Sequence, residues 1–187
     1  MAKKGYTDKT TLENYVLKTI DASFNTQIDA WIEAIETFID RLTGRNFIAD
    51  TVASERVYDG NGKIEILIDD CVDIDKVEVD DTEIVAANFH AYPANTVRKY
   101  KIKTLGDVFS RGDQNVTITG KWGYSAAVPA DVKLAATILL AGILQFSDKA
   151  TRSETIGNYS VSYDSDKGWQ DFNQANKILQ SYKKHTF

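Results

Sequence analysis

Hydrophobic and polar positions along this chain follow a helical period, then a period of two, then a helical period again. From about residue 26 to 43, Ile28, Trp31, Ile32, Ile35, Phe38, Ile39 and Leu42 fall on one helical stripe, while Asp29, Glu33, Glu36 and Asp40 occupy the other face. Gly44 follows as a left-handed cap, with Arg41 beside the negative end of the helix dipole. A shorter helix is predicted before it, with Thr10-Thr11-Leu12-Glu13 as its capped start and Leu12, Tyr15, Val16 and Ile20 on one side. From residue 54 to about 120 the alternation is strand-like. Residues 55–58 and 63–68 flank Asp59-Gly60-Asn61-Gly62, whose Asp-Gly and Asn-Gly pairs predict a hairpin. Residues 72–79 alternate as another strand, and 82–85, 99–105 and 115–121 are further candidates.

The second change of period falls between Gly120 and Phe146. Two glycines around Trp122 let the backbone leave the sheet, Pro129 suits a first helical position, and Asp131 places a negative charge at the positive end of the dipole. Val132, Ala135, Ile138, Leu139, Gly142, Ile143 and Phe146 then recur at helical spacing, with Leu134, Leu140 and Leu144 widening the stripe, so this helix belongs at the centre of a small bundle. Beyond a polar stretch, Tyr159, Val161 and Tyr163 alternate as an extended arm or strand. A last helix from about 168 to 182 carries Trp169, Phe172, Ala175, Ile178, Leu179 and Tyr182 on one face. The expected fold class is α+β. Residues 1–50 and 121–187 form a bundle of about four helices with a carboxyl-terminal arm and helix, and residues 51–120 form an inserted antiparallel sheet or small barrel.

Composition adds limits. The 187 residues suffice for a sizeable core, and an apolar fraction of 43% is ordinary for a globular protein. A net charge of −5 argues against a generally basic nucleic-acid binder, while leaving room for local basic patches. A single cysteine, Cys71, cannot form an intramolecular disulfide. With no secretory pattern at the amino end and no apolar run of membrane-spanning length, a soluble protein of a reducing cytoplasm is expected.

Chemistry is thinly supplied. Asp69, Asp70, Asp73, Asp75, Asp80 and Asp81 invite a hard-cation reading, but strand alternation sends Asp73 and Asp75 to a solvent face. Asp164-Ser165-Asp166-Lys167-Gly168 fails as a calcium loop, because its glycine is one position early and Ala175 stands where a bidentate glutamate is needed. Cys71 and His90 as nucleophile and base have no local signature, and Gly60-Asn61-Gly62 lacks the helix a phosphate loop requires. No catalytic, metal or cofactor residues are therefore assigned. The aromatic residues of the arm and last helix, Tyr159, Tyr163, Trp169, Phe172 and Tyr182, are candidate interface anchors together with Val161, Ile178 and Leu179.

Three stretches together resemble the head-to-tail connector, or adaptor, proteins of tailed bacteriophages and prophages. These are the helix ending in Thr43-Gly44-Arg45-Asn46-Phe47, then Trp122-Gly123-Tyr124 with Val128-Pro129-Ala130-Asp131-Val132-Lys133 leading into a long helix, and the Ser-Glu-x-Ile-Gly-x-Tyr-Ser-Val segment from Ser153. The resemblance implies a helical bundle with an appended sheet and a structural role without catalysis. It implies a homo-oligomeric ring, twelvefold among the symmetries it allows, placed between a portal protein and a tail or stopper protein in the virion. Double-stranded DNA passes through such a ring without sequence-specific binding. Another phage ring protein, such as a stopper or tail-completion protein, is the nearest alternative, and a small enzyme using the sheet loops is the one from a different class.

Overall fold

The first helix, α1 (Lys9–Val16), starts at Asp8, whose Oδ1 accepts the Thr11 N–H at 2.8 Å. The cap thus lies two residues before the expected one at Thr10, on a carboxylate that binds a free first-turn N–H and adds negative charge at the positive end of the dipole. In this computed structural model residues 4–148, 153–156, 159–162 and 166–184 are described, with backbone alone between 146 and 171. They divide into two compact units, one made of Met1–Gly44 with Val128–Phe187 and the other of Arg45–Ala127.

In the helical unit, α2 (Asn25–Thr43) buries Ile28, Ile32, Ile35 and Ile39, and ends where the Gly44 N–H, at φ 67°, donates to the Asp40 carbonyl at 2.8 Å. Glu36, expected on the solvent face, is buried. Its carboxylate accepts the backbone N–H of Lys4 at 2.8 Å and of Tyr6 at 3.0 Å, while the Tyr6 hydroxyl donates to Asp40 at 2.5 Å. The acidic face of α2 therefore holds the segment before α1. Truncating Glu36 leaves two N–H groups without their acceptor, so Glu36→Ala should cost about 1–3 kcal/mol in urea unfolding, with Glu36→Gln between it and wild type.

Helix α3 (Ala130–Asp148) buries Val132, Ala135, Ala136, Ile138, Leu140 and Ala141 and packs against α1, α2 and α4 (Asp166–Gln180). An apolar circumference needs cover on several sides, and three helices supply it. The Lys184 N–H donates to the Thr43 carbonyl at 2.7 Å, and the Thr7 and Thr137 hydroxyls meet at 2.9 Å in the interior.

The other unit is an antiparallel sheet of β1 (Ser54–Gly60), β2 (Glu65–Val79), β3 (Thr82–Glu83), β4 (Phe89–Tyr92), β5 (Lys99–Thr104) and β6 (Gly112–Trp122). The order is β1-β6-β2-β5-β4 with β3 on β2, so the sheet is open, with β1 and β4 at its ends, and the barrel alternative is set aside. Two sequence expectations change. Residues 65–79 form one strand, whose first part pairs with β5 and whose second part pairs with β6 across irregularities in register. The Asp59-Gly60-Asn61-Gly62 turn does not join hydrogen-bonded neighbours, because β6 lies between β1 and β2, with Val116 opposite both Tyr58 and Val79. Local turn chemistry was outweighed by burial of Val116, Ile118 and Trp122 in the sheet core. The glycine is still needed, since a Cβ at Gly60 would stand 1.8 Å from the Ser110 carbonyl oxygen, and its N–H donates to the Asn115 side chain at 2.9 Å.

Cys71 lies in that core, its Sγ 2.9 Å from the Asp73 carbonyl oxygen, and burial pushes its thiol up to about 11. A thiol-disulfide reagent at pH 8 should leave it unmodified in the folded protein and titrate it fully in denaturant; prompt reaction in the native state would contradict this. Apart from the sheet, β7 (Ser153–Ile156) and β8 (Tyr159–Ser162) pair antiparallel, Ser153 opposite Ser162, so the described parts of the predicted arm are two paired strands.

Candidate functional site

Helix α4 has a distinct inner and outer side. Ala175 and Leu179 are buried, Leu179 at 1% exposure, whereas Phe172 is 39% exposed and lies 6.4 Å, ring to ring, from Phe38 of α2, itself 39% exposed. Ile178 is half-buried. Tyr182 is half-buried, and its hydroxyl donates to the Asp131 carboxylate at 2.8 Å, at the start of α3. Trp169 lies on the first part of α4, Tyr159 and Val161 lie on β8, and their side chains are outside what is described, as is all of Tyr163. Of the predicted interface residues with described side chains, Phe172 is the most exposed, whereas Leu179 belongs to the bundle core. Phe38 joins Phe172, which the sequence did not reveal, because its place on an apolar stripe reads equally as core.

In the sheet unit, two of the short motifs meet. Phe47 is fully buried, with its ring 5.5 Å from that of Tyr124. The Arg45 and Arg98 guanidiniums lie 5.6 and 5.0 Å from the Tyr124 ring centre. Both guanidiniums also reach Asp70, which is 8% exposed: Arg45 donates to Oδ2, and Arg98 lies 3.5 Å from Oδ1. Gly123, at φ 146°, donates its N–H to the Asp70 carbonyl at 2.7 Å, and a Cβ there would stand 2.5 Å from Ala49 Cα. Arg45, Phe47, Gly123 and Tyr124 thus act as structural supports around one buried carboxylate. Trp122 is buried beside them in sequence, donating Nε1–H to the Ser54 carbonyl at 2.8 Å with Arg56 over its ring at 4.6 Å.

The aspartates that invited a cation reading are dispersed among protein partners. Asp69 accepts from Arg56 at 2.8 Å, Asp73 from Lys121 at 3.1 Å, and Asp80 from the Ser110 hydroxyl and from Asn115 at 3.1 Å. Asp73 and Asp75 are exposed, as strand alternation predicts. Among the described residues no group of three or more His, Cys, Asp or Glu is arranged to hold a metal ion. His90 is on β4, with β5 between it and the strand of Cys71, so the structure does not bring that pair together. Asp164 and Ser165 lie outside the described residues, and Asp166 opens α4. No helix among the described residues is long and apolar enough to cross a membrane.

Comparison with known proteins bears on the whole chain. No curated protein matches it. Its fold is similar to a chain in the neck of an empty gene transfer agent particle, with a TM-score of 0.62 at 12% identity, covering 100% of this chain and 94% of that one. It is likewise similar to a chain in the virion of a native gene transfer agent particle, with a TM-score of 0.60 at 13% identity and the same coverage of 100% and 94%. The model of the head completion protein family matches residues 10–185. That match spans both units, every helix from the second residue of α1 onward and the whole sheet, and the chain accordingly belongs to the head completion protein family, the structural proteins that connect a phage head to its tail.

Proposed function

We propose that this chain is one subunit of a homo-oligomeric ring that docks on the portal protein and leads on to a tail or stopper protein, extending the conduit for double-stranded DNA. The observation that carries the reading is the family match over residues 10–185, and α4 with its outward Phe172 supplies a surface for docking. A connector between two axial rings uses heterologous contacts that close by rotation, and twelve copies is the number the resemblance suggests. The portal-facing residues are Trp169, Phe172 and the arm around Tyr159, Val161 and Tyr163, with Ile178 and Tyr182 at the margin and Leu179 holding the helix from beneath. A chain of net charge −5 lets a duplex slide past, where a basic wall would retain it. The protein works by binding and not by catalysis, without metal or cofactor.

The test is to mix the protein with the portal encoded nearby and image the complex by electron microscopy. A ring of this chain stacked coaxially on the portal is expected. A portal complex holding one copy of the chain would overturn the proposal.

A further inference from the structure

The outer face of the sheet unit is divided by charge. Residues 89–104, spanning β4 and β5, contain four basic residues and no acidic one, whereas residues 73–83, the far part of β2 with β3, contain six acidic residues and one lysine. Register places two of the basic residues, Lys101 and Lys103, on one face, whereas Arg98 is taken up by Asp70 and Lys99 by the Pro93 and Thr96 carbonyls. Lys103 lies opposite Glu65 on one side and His90 on the other, and Lys101 lies opposite Leu67 and Tyr92. Their neighbours Ile66 and Ile102 point to the core. Lys101 is paired with Glu65 at 3.0 Å, but among the described residues Lys103 and Lys63 have no ion-pair partner. Leu67, in the middle of this group, is 55% exposed.

The acidic end has the complementary make-up. Glu78 and Glu83 lie directly opposite each other across β2 and β3, a like-charge pairing that disfavours the strand pair unless a cation is near. Lys76 reaches Glu78 at 2.6 Å, while Asp75 and Glu83 are exposed and have no ion-pair partner among the described residues. Val85, two residues beyond Glu83, is 55% exposed. Each end therefore combines an exposed aliphatic side chain with an excess of one sign of charge, and the two signs are complementary.

We infer that the basic β4–β5 face of one copy docks on the acidic β2–β3 end of the next copy, making the sheet units a head-to-tail contact between subunits. The inference rests on the proposed ring. A contact between two different patches of the same chain is the type that closes a ring. A second copy fits the basic face better than a nucleic-acid backbone, because Glu65 and the exposed Leu67 sit within it, and phosphate contact favours uninterrupted Lys and Arg.

Two variants test it, each a double reversal of charges outside the close ion pairs: Lys63→Glu with Lys103→Glu, and Asp75→Lys with Glu83→Lys. Each alone presents like charge to like, and portal-bound rings counted by microscopy should fall at least roughly tenfold. An equimolar mixture should restore them to within about twofold, because a ring alternating the two variants has opposite charges at every contact, and only even-numbered rings can form. Circular dichroism establishes that each variant is folded, and recovery on mixing distinguishes lost contact from misfolding. Wild-type rings that persist in both variants would overturn the inference while leaving the ring intact. Failure of the mixture to recover would overturn it as well, and so would variants that keep their rings but release DNA at lower salt, which would assign the basic face to DNA. If the wild-type chain forms no ring on the portal, the underlying functional proposal fails with it.

Discussion

Alanine at both Trp169 and Phe172 is expected to abolish stable portal binding while leaving the folded protein nearly as stable as wild type. Aromatic anchors in an interface commonly cost about 2 kcal/mol or more each on truncation, so losing two weakens binding by roughly three orders of magnitude. Phe172 is 39% exposed and packs at an angle on Phe38, so its removal takes little from the core. A loss of about 1 kcal/mol would lower the thermal midpoint by about 2–4 °C in a chain of this size. Leu179 provides the control on the same helix, since it is 1% exposed. Leu179→Ala should cost about 2–5 kcal/mol of stability, yet the folded fraction should still bind the portal in the cold. If the aromatic pair proves to be the stability variant and binding survives it, the outer side of α4 is core and the docking surface lies elsewhere.

The second large effect is expected at Asp70. Its carboxylate is buried and faces two guanidiniums, with Arg45 also largely covered, so Asp70→Ala leaves two cations without their counter-charge in a place water reaches poorly. Breaking a buried pair from one side typically costs about 3–5 kcal/mol. The measurement is chemical unfolding of Asp70→Ala beside Asp70→Asn and the triple change Asp70→Ala, Arg45→Met, Arg98→Met. The asparagine variant keeps an acceptor oxygen and should lose less, and the triple variant should recover part of the loss, because apolar replacement removes the orphaned charges. Equal stability of Asp70→Ala and wild type would mean that the guanidiniums are satisfied by water and that Tyr124 is held by packing alone.

Family membership was legible because it rests on short motifs in a fixed order, and the reason for those motifs became visible only in three dimensions. Arg45 and Phe47 read as the end of a helix, and Gly123 as a place where the backbone leaves the sheet, but Arg45 and Phe47 meet Asp70 and Tyr124 from far away in sequence, with the Gly123 N–H bonded to the Asp70 carbonyl. The interface residues on α4 were legible as a stripe and no further, because helical spacing assigns Phe172 and Leu179 to the same face. Which part of that face is covered depends on the neighbouring helices.

Local physics explains the features read along the chain: helices α1 to α4, the left-handed stop at Gly44, the β-rich middle of the chain and the exposure of Asp73 and Asp75 all follow from spacing within a few residues. Tertiary structure decided whatever depends on distant partners. It placed β6 between β1 and β2 despite a strong turn signal, joined two predicted strands into one β2, and turned Glu36 from a surface acid into a buried acceptor for the chain at Lys4 and Tyr6. A turn contributes a few local hydrogen bonds, whereas seating Val116, Ile118 and Trp122 in the core removes a large apolar area from water, and that greater stabilisation selects the strand order.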